Sequence, residues 1–405
     1  MGLDSIYIFF AVNYFAQGMG GIAYEPISYL LKDGLGLKAA ESANFTFWMT
    51  LPFLIKPLYG FVTDLLPIKR YRRRPHIVIV AGLSAAAFLA LSGMTRYSYA
   101  SLLVLLFLVN VGTVGSDVVC DAVMVEQGKK GGTTGVFQAV QIATLYAALV
   151  VSGLGGGWLT AHASYRQIFA LSAVFPVMIM GSSFWARESA VEGALKKGTV
   201  GLRDLARRRE FWALCAIIFL WSFYPFLGTA QFYHQTERLG LKPVFIGFLA
   251  TLSGVAGVAG AAFYGRVIGK RWSTATMVRA AVILGAPLSL SFLFYVGPIS
   301  VAIVTVIWGA AGVTLRLALM DLAAQSCPEG GEATAFAVYM SVFNLAASAS
   351  NTLGGNFYEI LKTRLAGTAD PAYGAMVALT LIGSGCTLAC WPLLKFAIPP
   401  ERSSA

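Results

Sequence analysis

Four charged side chains stand inside long apolar segments of this 405-residue sequence. Asp117 and Asp121 are four residues apart, so they share one face of a helix. Lys56 and Arg316 are the basic residues found in the interior of such segments. A charge in apolar surroundings is costly unless it is paired or bound. These side chains are therefore predicted to bind a proton, one another or a charged ligand.

Glu25 has no basic neighbour in its own segment and is followed by Pro26, which can interrupt a helix. A carboxyl in apolar surroundings favours its neutral form and can bind a proton near neutrality. Glu25 is therefore a candidate proton site. The alternative is that it faces water in an outer vestibule.

The other buried charges also allow a purely structural interpretation. In that alternative Lys56 pairs with Asp117, and Arg316 pairs with Asp121 or Asp321. The two interpretations are compatible, because a carboxylate that is paired in one conformation and protonated in another couples proton binding to a conformational change.

Composition identifies the class of protein that must position these residues. Hydrophobic residues make up 57% of the chain and charged residues only 12%, against roughly 25% charged residues in a soluble domain. Apolar runs recur that are long enough to cross a bilayer as a helix, which takes about 20 residues. This is predicted to be an all-α polytopic membrane protein. The net charge of +11 is typical of cytoplasmic loops facing anionic lipid, and no nucleic-acid partner is expected.

Polar and Gly/Pro clusters divide the chain into twelve candidate transmembrane helices. They are 5–31, 42–66, 75–94, 100–126, 133–160, 166–186, 210–233, 243–269, 276–296, 299–325, 333–361 and 373–396. Most loop lysines and arginines fall on the side that carries both termini, which the positive-inside rule assigns to the cytoplasm. The cysteines and histidines lack the spacing of a disulfide framework or a metal site, so neither a metal nor a cofactor is expected.

The two halves of the chain repeat weakly at an offset of about 200 residues. Asp121 corresponds to Asp321, and the glycine-rich stretch 154–156 corresponds to 353–355. The glycine-rich stretches 153–157 and 354–355 are expected to pack helices closely. The predicted domains are an N-terminal six-helix bundle at 1–186, a cytoplasmic linker at 187–209 and a C-terminal six-helix bundle at 210–405. Such repeats are typical of a two-bundle transporter whose site lies between the halves.

Another motif begins near the end of the second helix and continues into the loop after it. Gly60 permits close helix approach, Asp64 stands four residues later, and a basic run follows. This pattern resembles the cytoplasmic gating motif of the major facilitator superfamily. The expected gate consists of Gly60, Asp64, Arg72, Arg73, Arg74 and, at the inner end of the fourth helix, Glu126.

Several motifs together resemble the folate-biopterin transporter family, within that superfamily. They are 14–18 in the first helix, Lys56-Pro57 with Gly60 and Asp64, the loop 71–75, and 116–126 in the fourth helix. The resemblance implies a major facilitator fold and proton-coupled import of folates, pterins or, in some branches, S-adenosylmethionine.

In the fold so implied, helices one, four, seven and ten line the cavity. The expected substrate-binding residues are Gln17, Lys56, Asp117, Arg316, Trp221, Tyr224 and Asn344, with the aromatic pair stacking on a planar ring. The expected proton-coupling residues are Glu25, Asp117, Asp121 and Asp321.

The sequence therefore predicts a secondary active transporter, not an enzyme, that moves a heteroaromatic organic anion with protons by alternating access. It is expected to be a multi-pass monomer of a bacterial plasma membrane, with both termini cytoplasmic. One alternative is a permease for S-adenosylmethionine or a nucleoside- or amino-acid-like metabolite. More remote alternatives are a membrane sensor, for which the loops are too short, and an intramembrane enzyme, for which no catalytic motif stands in a span.

Overall fold

A computed structural model describes residues 4–65, 68, 71, 73–131, 134–186, 207–268, 271–326 and 332–397. Within these ranges the chain forms twelve helical rods, α1 to α12, and extended pairing is confined to an isolated bridge between Ile68 and Tyr71. The all-α prediction is confirmed, and the rods coincide with the twelve predicted helices to within a few residues at each end.

Several rods combine α-helical parts with short 3-10 or π segments. The rods are α1 (Asp4–Met19, Gly20–Ala23, Tyr24–Tyr29, Leu30–Gly34), α2 (Ala39–Thr50, Leu51–Ile55, Lys56–Leu65), α3 (Arg74–Gly93), α4 (Tyr99–Gly131), α5 (Thr134–His162), α6 (Tyr165–Ser172, Val174–Ser182, Ser183–Trp185), α7 (Arg209–Ser222, Thr229–Tyr233, His234–Arg238), α8 (Pro243–Phe263, Tyr264–Ile268), α9 (Thr274–Leu290, Ser291–Phe294), α10 (Pro298–Ile307, Trp308–Gly312, Val313–Gln325), α11 (Glu332–Arg364) and α12 (Pro371–Ala389, Trp391–Leu393, Leu394–Ala397).

Nine of these rods, in the part of the chain that is described, are long and apolar enough to cross a membrane. The remaining three are α2, α7 and α11. Charged residues interrupt the apolar sequence of α2, and α7 is broken near its middle. Polar residues recur along α11. A helix that carries polar groups in a membrane needs protein neighbours that satisfy them.

The described residues group into two compact units. Unit 1 lies within Met1–Leu37, Phe45–Lys196 and Lys242–Gly254, and unit 2 lies within Lys38–Asn44, Lys197–Leu241 and Val255–Ala405. Rods α2 and α8 each run from one unit into the other. The predicted linker, 187–209, lies outside the described residues except for 207–209. The predicted domain boundaries stay a prediction.

Glycines allow close helix contacts in both units, as the sequence predicts. In unit 1, a Cβ added to Gly157 of α5 would lie 2.6 Å from the carbonyl oxygen of Pro243 at the start of α8. In unit 2, a Cβ added to Gly355 of α11 would lie 2.8 Å from the carbonyl oxygen of Ala39. Backbones this close leave no room for a side chain, so only glycine fits at these crossings.

The break in α7 spans 223–228 and contains Pro225, a residue that interrupts a helix. Side chains of α11 satisfy the backbone groups that the break exposes. The N–H of Tyr224 donates to Ser350 Oγ at 2.9 Å, and the N–H of Thr229 donates to Asn351 Oδ1 at 2.8 Å. The polar residues of α11 thus take over hydrogen bonds that a continuous helix would make internally.

Candidate functional site

The ion pair between Lys56 and Asp117 is the centre of the candidate site in unit 1. Lys56 begins the last segment of α2, directly after a 3-10 turn, and its Nζ donates to Asp117 Oδ2 on α4 at 2.5 Å. The two side chains are 30% and 20% exposed, and the ammonium lies 5.9 Å from the centre of the Phe53 ring. The predicted pairing is confirmed. Because the pair keeps some exposure, water or a ligand can reach it.

Asp121 lies one turn further along α4 and is held by neutral donors. Its Oδ1 accepts from the hydroxyl of Tyr14 on α1 at 2.7 Å and from Nε2 of Gln141 on α5 at 3.2 Å. Tyr14 is fully buried. It was not among the site residues predicted from the sequence, although the motifs 14–18 and 116–126 contain both partners. The carboxylates of α4 therefore differ: Asp117 has a cation and Asp121 has hydrogen-bond donors.

Gln17 lines a small cavity inside unit 1, about 40 Å³ in volume. Most of the lining is apolar, and Ser84, Asn110, Thr113 and Ser116 of two other helices add polar side chains. The Nε2 atom of Gln17 is buried and has no hydrogen-bond partner among the described residues. Gln17 thus brings an unused hydrogen-bond donor to the cavity, and its role in substrate binding stays a prediction.

Glu25 lies in the segment of α1 that follows a 3-10 turn. Its Oε1 is buried and has no hydrogen-bond partner in the described part of the chain. The helix α5 passes nearby, because a Cβ added to Gly156 would lie 3.8 Å from the Cβ of Glu25. A carboxyl in such surroundings is least costly in its neutral form. Its role as a proton site stays a prediction.

Unit 2 has a second candidate site, which contains an arginine on an aromatic ring. Arg316 lies in the first turn of the last segment of α10, and its guanidinium carbon lies 5.0 Å from the centre of the Phe343 ring on α11. Half-buried Asn344 follows Phe343 in the chain. Asp321, further along α10, accepts a short hydrogen bond from the hydroxyl of Tyr264 on α8. Tyr264 was not predicted from the sequence as a site residue.

The two aromatic residues predicted to stack on a ligand lie in the packed core of unit 2. Trp221 donates from Nε1 to the carbonyl oxygen of Ala281 at 2.9 Å. The Tyr224 hydroxyl accepts from Thr387 Oγ1 at 3.2 Å. Both side chains are therefore satisfied by protein partners, and their role in ligand binding stays a prediction.

Only part of the predicted gate is described. Arg73, just before α3, is buried and donates from Nη1 to Thr63 Oγ1 near the end of α2 at 3.1 Å. Arg74 begins α3. Gly60 and Asp64 lie in α2 and Glu126 lies in α4, but the surroundings of these three residues, and the whole of Arg72, lie outside the described part of the structure.

In unit 2, Arg238 of α7 donates from Nε to Asp370 Oδ2 at 2.7 Å. Asp370 also caps α12, because its Oδ1 accepts from the N–H of Tyr373 at 2.9 Å. Partial burial raises the pKa of Asp370, but the Tyr373 N–H and Arg238 outweigh it and hold the pKa below its ordinary value. This pair was not predicted from the sequence.

No cluster of three or more His, Cys, Asp or Glu side chains that could hold a metal ion occurs among the residues described. The chemistry of the two candidate sites is therefore that of carboxylates, one lysine, one arginine and neutral hydrogen-bond donors. Such groups exchange protons and bind organic anions.

Comparisons with known proteins identify the family. The profile of the BT1 family matches residues 17–404. A folate-biopterin transporter of Synechocystis sp. is 30% identical, and the alignment covers 94% of this chain and 79% of that protein. Probable folate-biopterin transporter 4 of Arabidopsis thaliana is 26% identical, with 96% and 94% covered.

Solved structures give the fold. The nucleoside transporter NupG aligns over 98% of this chain and 100% of its own with a TM-score of 0.73 at 11% identity. A D-xylose-proton symporter aligns over 100% of both chains with a TM-score of 0.71 at 12% identity. At these identities the likeness shows the major facilitator fold alone. The chain belongs to the BT1 family, and it is an integral membrane transporter with the major facilitator fold, not an enzyme.

Proposed function

We propose that this protein is a proton-coupled secondary transporter that moves a folate- or pterin-like heteroaromatic anion across the membrane by alternating access. The observation that carries the proposal is the ion pair between Lys56 and Asp117 in α2 and α4, with the second carboxylate Asp121 one turn away. The names of the relatives supply the substrate class, since they are folate-biopterin transporters.

Proton coupling follows from the choice of partner that Lys56 has. In the structure its ammonium binds Asp117. When Asp117 takes up a proton, the ion pair is lost and the ammonium can bind an acidic group of the substrate instead. Because one compact ammonium best matches one anion at a time, substrate binding and protonation of Asp117 favour each other. Asp121 adds a second carboxylate to this site. Glu25 on α1 is a further group that can bind a proton during transport.

Anion binding in unit 2 is assigned to Arg316. Stacking on Phe343 fixes the plane of the guanidinium. The N–H groups in that plane can bind a carboxylate through two parallel hydrogen bonds, which a lysine cannot do. The side-chain amide of Asn344, next in the chain after Phe343, can bind polar edges of a heteroaromatic ring. Asp321 contributes as the partner of Tyr264.

The gate and the topology complete the proposal. Arg73 joins the end of α2 to the start of α3 through Thr63, which supports a structural role for the motif that runs from Gly60 to Arg74. We assign this end to the cytoplasm, because the basic run 69–74 favours that side. Both termini then lie in the cytoplasm. Labelling of a cysteine placed at position 200 from outside intact cells, with one at position 36 protected, would overturn this topology.

Uptake into proteoliposomes tests the proposal. The purified full chain is reconstituted, a pH gradient is imposed, and radiolabelled folic acid is followed with the gradient intact or collapsed by a protonophore. We expect accumulation only with the gradient intact. Unlabelled biopterin should compete, whereas nucleosides and amino acids should not.

Two results would contradict different parts of the proposal. Equal accumulation with and without the gradient would remove the proton coupling and leave the substrate class intact. Displacement of folic acid by a nucleoside, or no folic acid uptake while a nucleoside accumulates, would replace the substrate class.

A further inference from the structure

An open groove runs between the start of α3 and the end of α6, entirely within unit 1. Its volume is about 580 Å³. Apolar side chains from both helices line most of it, among them Val78 and Ile79 of α3 and Val177 and Phe184 of α6. Phe184 is 74% exposed. Because α3 and α6 are each long and apolar enough to cross a membrane, an exposed apolar groove between them suits a lipid chain.

One end of the groove is basic. Arg74, the first residue of α3, lines it and carries the only charge among the described residues that do so. In the sequence, Lys69, Arg70, Arg72 and Arg73 come shortly before Arg74. Ser183 supplies a hydroxyl at the groove. The groove thus combines an apolar channel with a cationic end, as a phospholipid requires.

We propose that this groove binds one anionic phospholipid, with its phosphate at Arg74 and an acyl chain along Val78, Ile79 and Phe184. The guanidinium can bind phosphate oxygens through two hydrogen bonds. Basic pockets between membrane helices are suited to anionic headgroups. The ligand is a lipid of the leaflet that borders this end of α3, and its binding does not depend on the transported substrate.

Gly181 provides a way to close the groove without disturbing the protein. It lines the groove, and a Cβ added to it would meet no atom within 4 Å. A leucine at this position therefore fills the space of the acyl chain. Gly82 of α3 is a matched control, because a Cβ there also meets nothing within 4 Å and the residue does not line the groove.

Native mass spectrometry of the full chain in detergent tests the proposal. The protein is incubated with equal amounts of dioleoyl-phosphatidylglycerol and dioleoyl-phosphatidylcholine, and retained lipid is counted. We expect one retained phosphatidylglycerol with about a tenfold preference over phosphatidylcholine. Gly181→Leu should lower its occupancy about tenfold, and Gly82→Leu should leave it unchanged. Arg74→Gln should abolish the preference between the two lipids.

Three results would contradict the proposed lipid site. Equal retention of both lipids by the natural chain would leave no headgroup recognition. Unchanged phosphatidylglycerol in Gly181→Leu would place the lipid elsewhere, and this variant decides the matter if Arg74→Gln fails to fold. Displacement of the lipid by excess inorganic phosphate would reassign the basic end to a free anion, because the acyl chain would then contribute nothing.

Discussion

Asp121 in unit 1 and Asp321 in unit 2 occupy corresponding positions of the internal repeat, on α4 and α10. Each accepts a hydrogen bond from a tyrosine of another helix, Tyr14 in the first case and Tyr264 in the second. The residues one turn before them differ. Asp121 is preceded by Asp117, which binds Lys56, whereas Leu317 stands at that position before Asp321.

The repeat has thus kept a hydrogen bond between two helices while the charge around it has changed. Unit 1 has two carboxylates and a lysine on neighbouring helices, and unit 2 has Arg316 stacked on Phe343. Two carboxylates on one helix face repel each other, so one of them readily takes a proton. An arginine keeps its charge at any accessible pH and suits a permanent anion. On this difference we base the proposal that protons exchange in unit 1 and that Arg316 in unit 2 binds a permanent anionic group of the substrate.

Replacing Asp117 by Asn should have the largest effect. We expect Asp117→Asn to abolish accumulation driven by a pH gradient, because the site can no longer exchange a proton. Counterflow exchange, which needs no net proton movement, should persist. The matched variant Asp321→Asn should retain accumulation. The measurement is uptake into proteoliposomes with equal amounts of folded protein, checked by size-exclusion chromatography.

The opposite outcome in these two variants would contradict the proposed difference between the two units. Accumulation that is lost in Asp321→Asn and kept in Asp117→Asn would move the proton site to unit 2. Undiminished accumulation in Asp117→Asn, Asp121→Asn and Glu25→Gln alike would remove the proton assignment from unit 1 altogether.

Arg316→Lys should weaken binding of the transported anion about 10- to 150-fold. This corresponds to the roughly 1.5–3 kcal/mol of a hydrogen bond to a charged group. The lysine keeps the charge and loses the planar fork. Isothermal titration of the purified chain with folic acid measures the effect. Arg279→Lys, at an exposed arginine of unit 2, is the control and should bind normally.

A double variant separates anion binding from a structural role. If Arg316 serves only to balance Asp321, then Arg316→Leu combined with Asp321→Leu removes both charges and should restore binding and expression together. Normal affinity in this charge-free variant would refute Arg316 as the anion-binding residue.

Tyr14→Phe and Tyr264→Phe sharpen the comparison further. Each removes a hydroxyl that donates to an aspartate, at a cost of about 1–3 kcal/mol in the free energy of unfolding. Only Tyr14→Phe should also move the acidic limb of the uptake profile to higher pH, because ionised Asp121 loses a donor. Thermal unfolding in detergent and uptake between pH 5 and pH 8 measure both effects. An equal shift in Tyr264→Phe would assign proton exchange to both aspartates.

Features that depend on local sequence were predictable. Apolar runs, divided at polar and Gly/Pro clusters, predict the twelve helices, because a bilayer leaves few other arrangements for the backbone. Pro225 predicts the break in α7, and the glycines at Gly157 and Gly355 predict close crossings. The pairing of Lys56 with Asp117 follows from the cost of two isolated charges in apolar surroundings.

Partners that depend on the rotation of one helix against another were not predictable. A sequence of mostly apolar helices does not fix which face of α1 meets α4, so Tyr14 was not assigned to Asp121. The same applies to Tyr264 and Asp321. Trp221 was predicted to stack on a ligand; its indole N–H binds a carbonyl in the core of unit 2, and the stacking stays a prediction. Composition alone does not separate a buried aromatic residue from a cavity-lining one.

Asp370 should give the smallest effect and serves as a reference for the larger ones. Arg238 and the N–H of Tyr373 hold its charge, and we expect this charge to take no part in transport. The pKa of this carboxyl is below its ordinary value in the folded chain. The stability that it contributes is therefore present above the unfolded pKa of about 3.9 and is lost as pH falls through the folded value. Asp370 is 40% exposed, so solvent screens the pair and the contribution should be below about 1 kcal/mol.

Asp370→Asn keeps a cap for α12 and removes the charge, so it should flatten the loss of thermal stability between pH 5 and pH 3 and change little at pH 7. Asp370→Ala should cost about 1 kcal/mol more at every pH, because the cap is lost as well. Melting curves of the two variants in detergent from pH 3 to pH 7 measure this. An Asn variant that loses uptake at neutral pH would show that the Asp370 charge acts in transport, and the contrast with Asp117 would then fail.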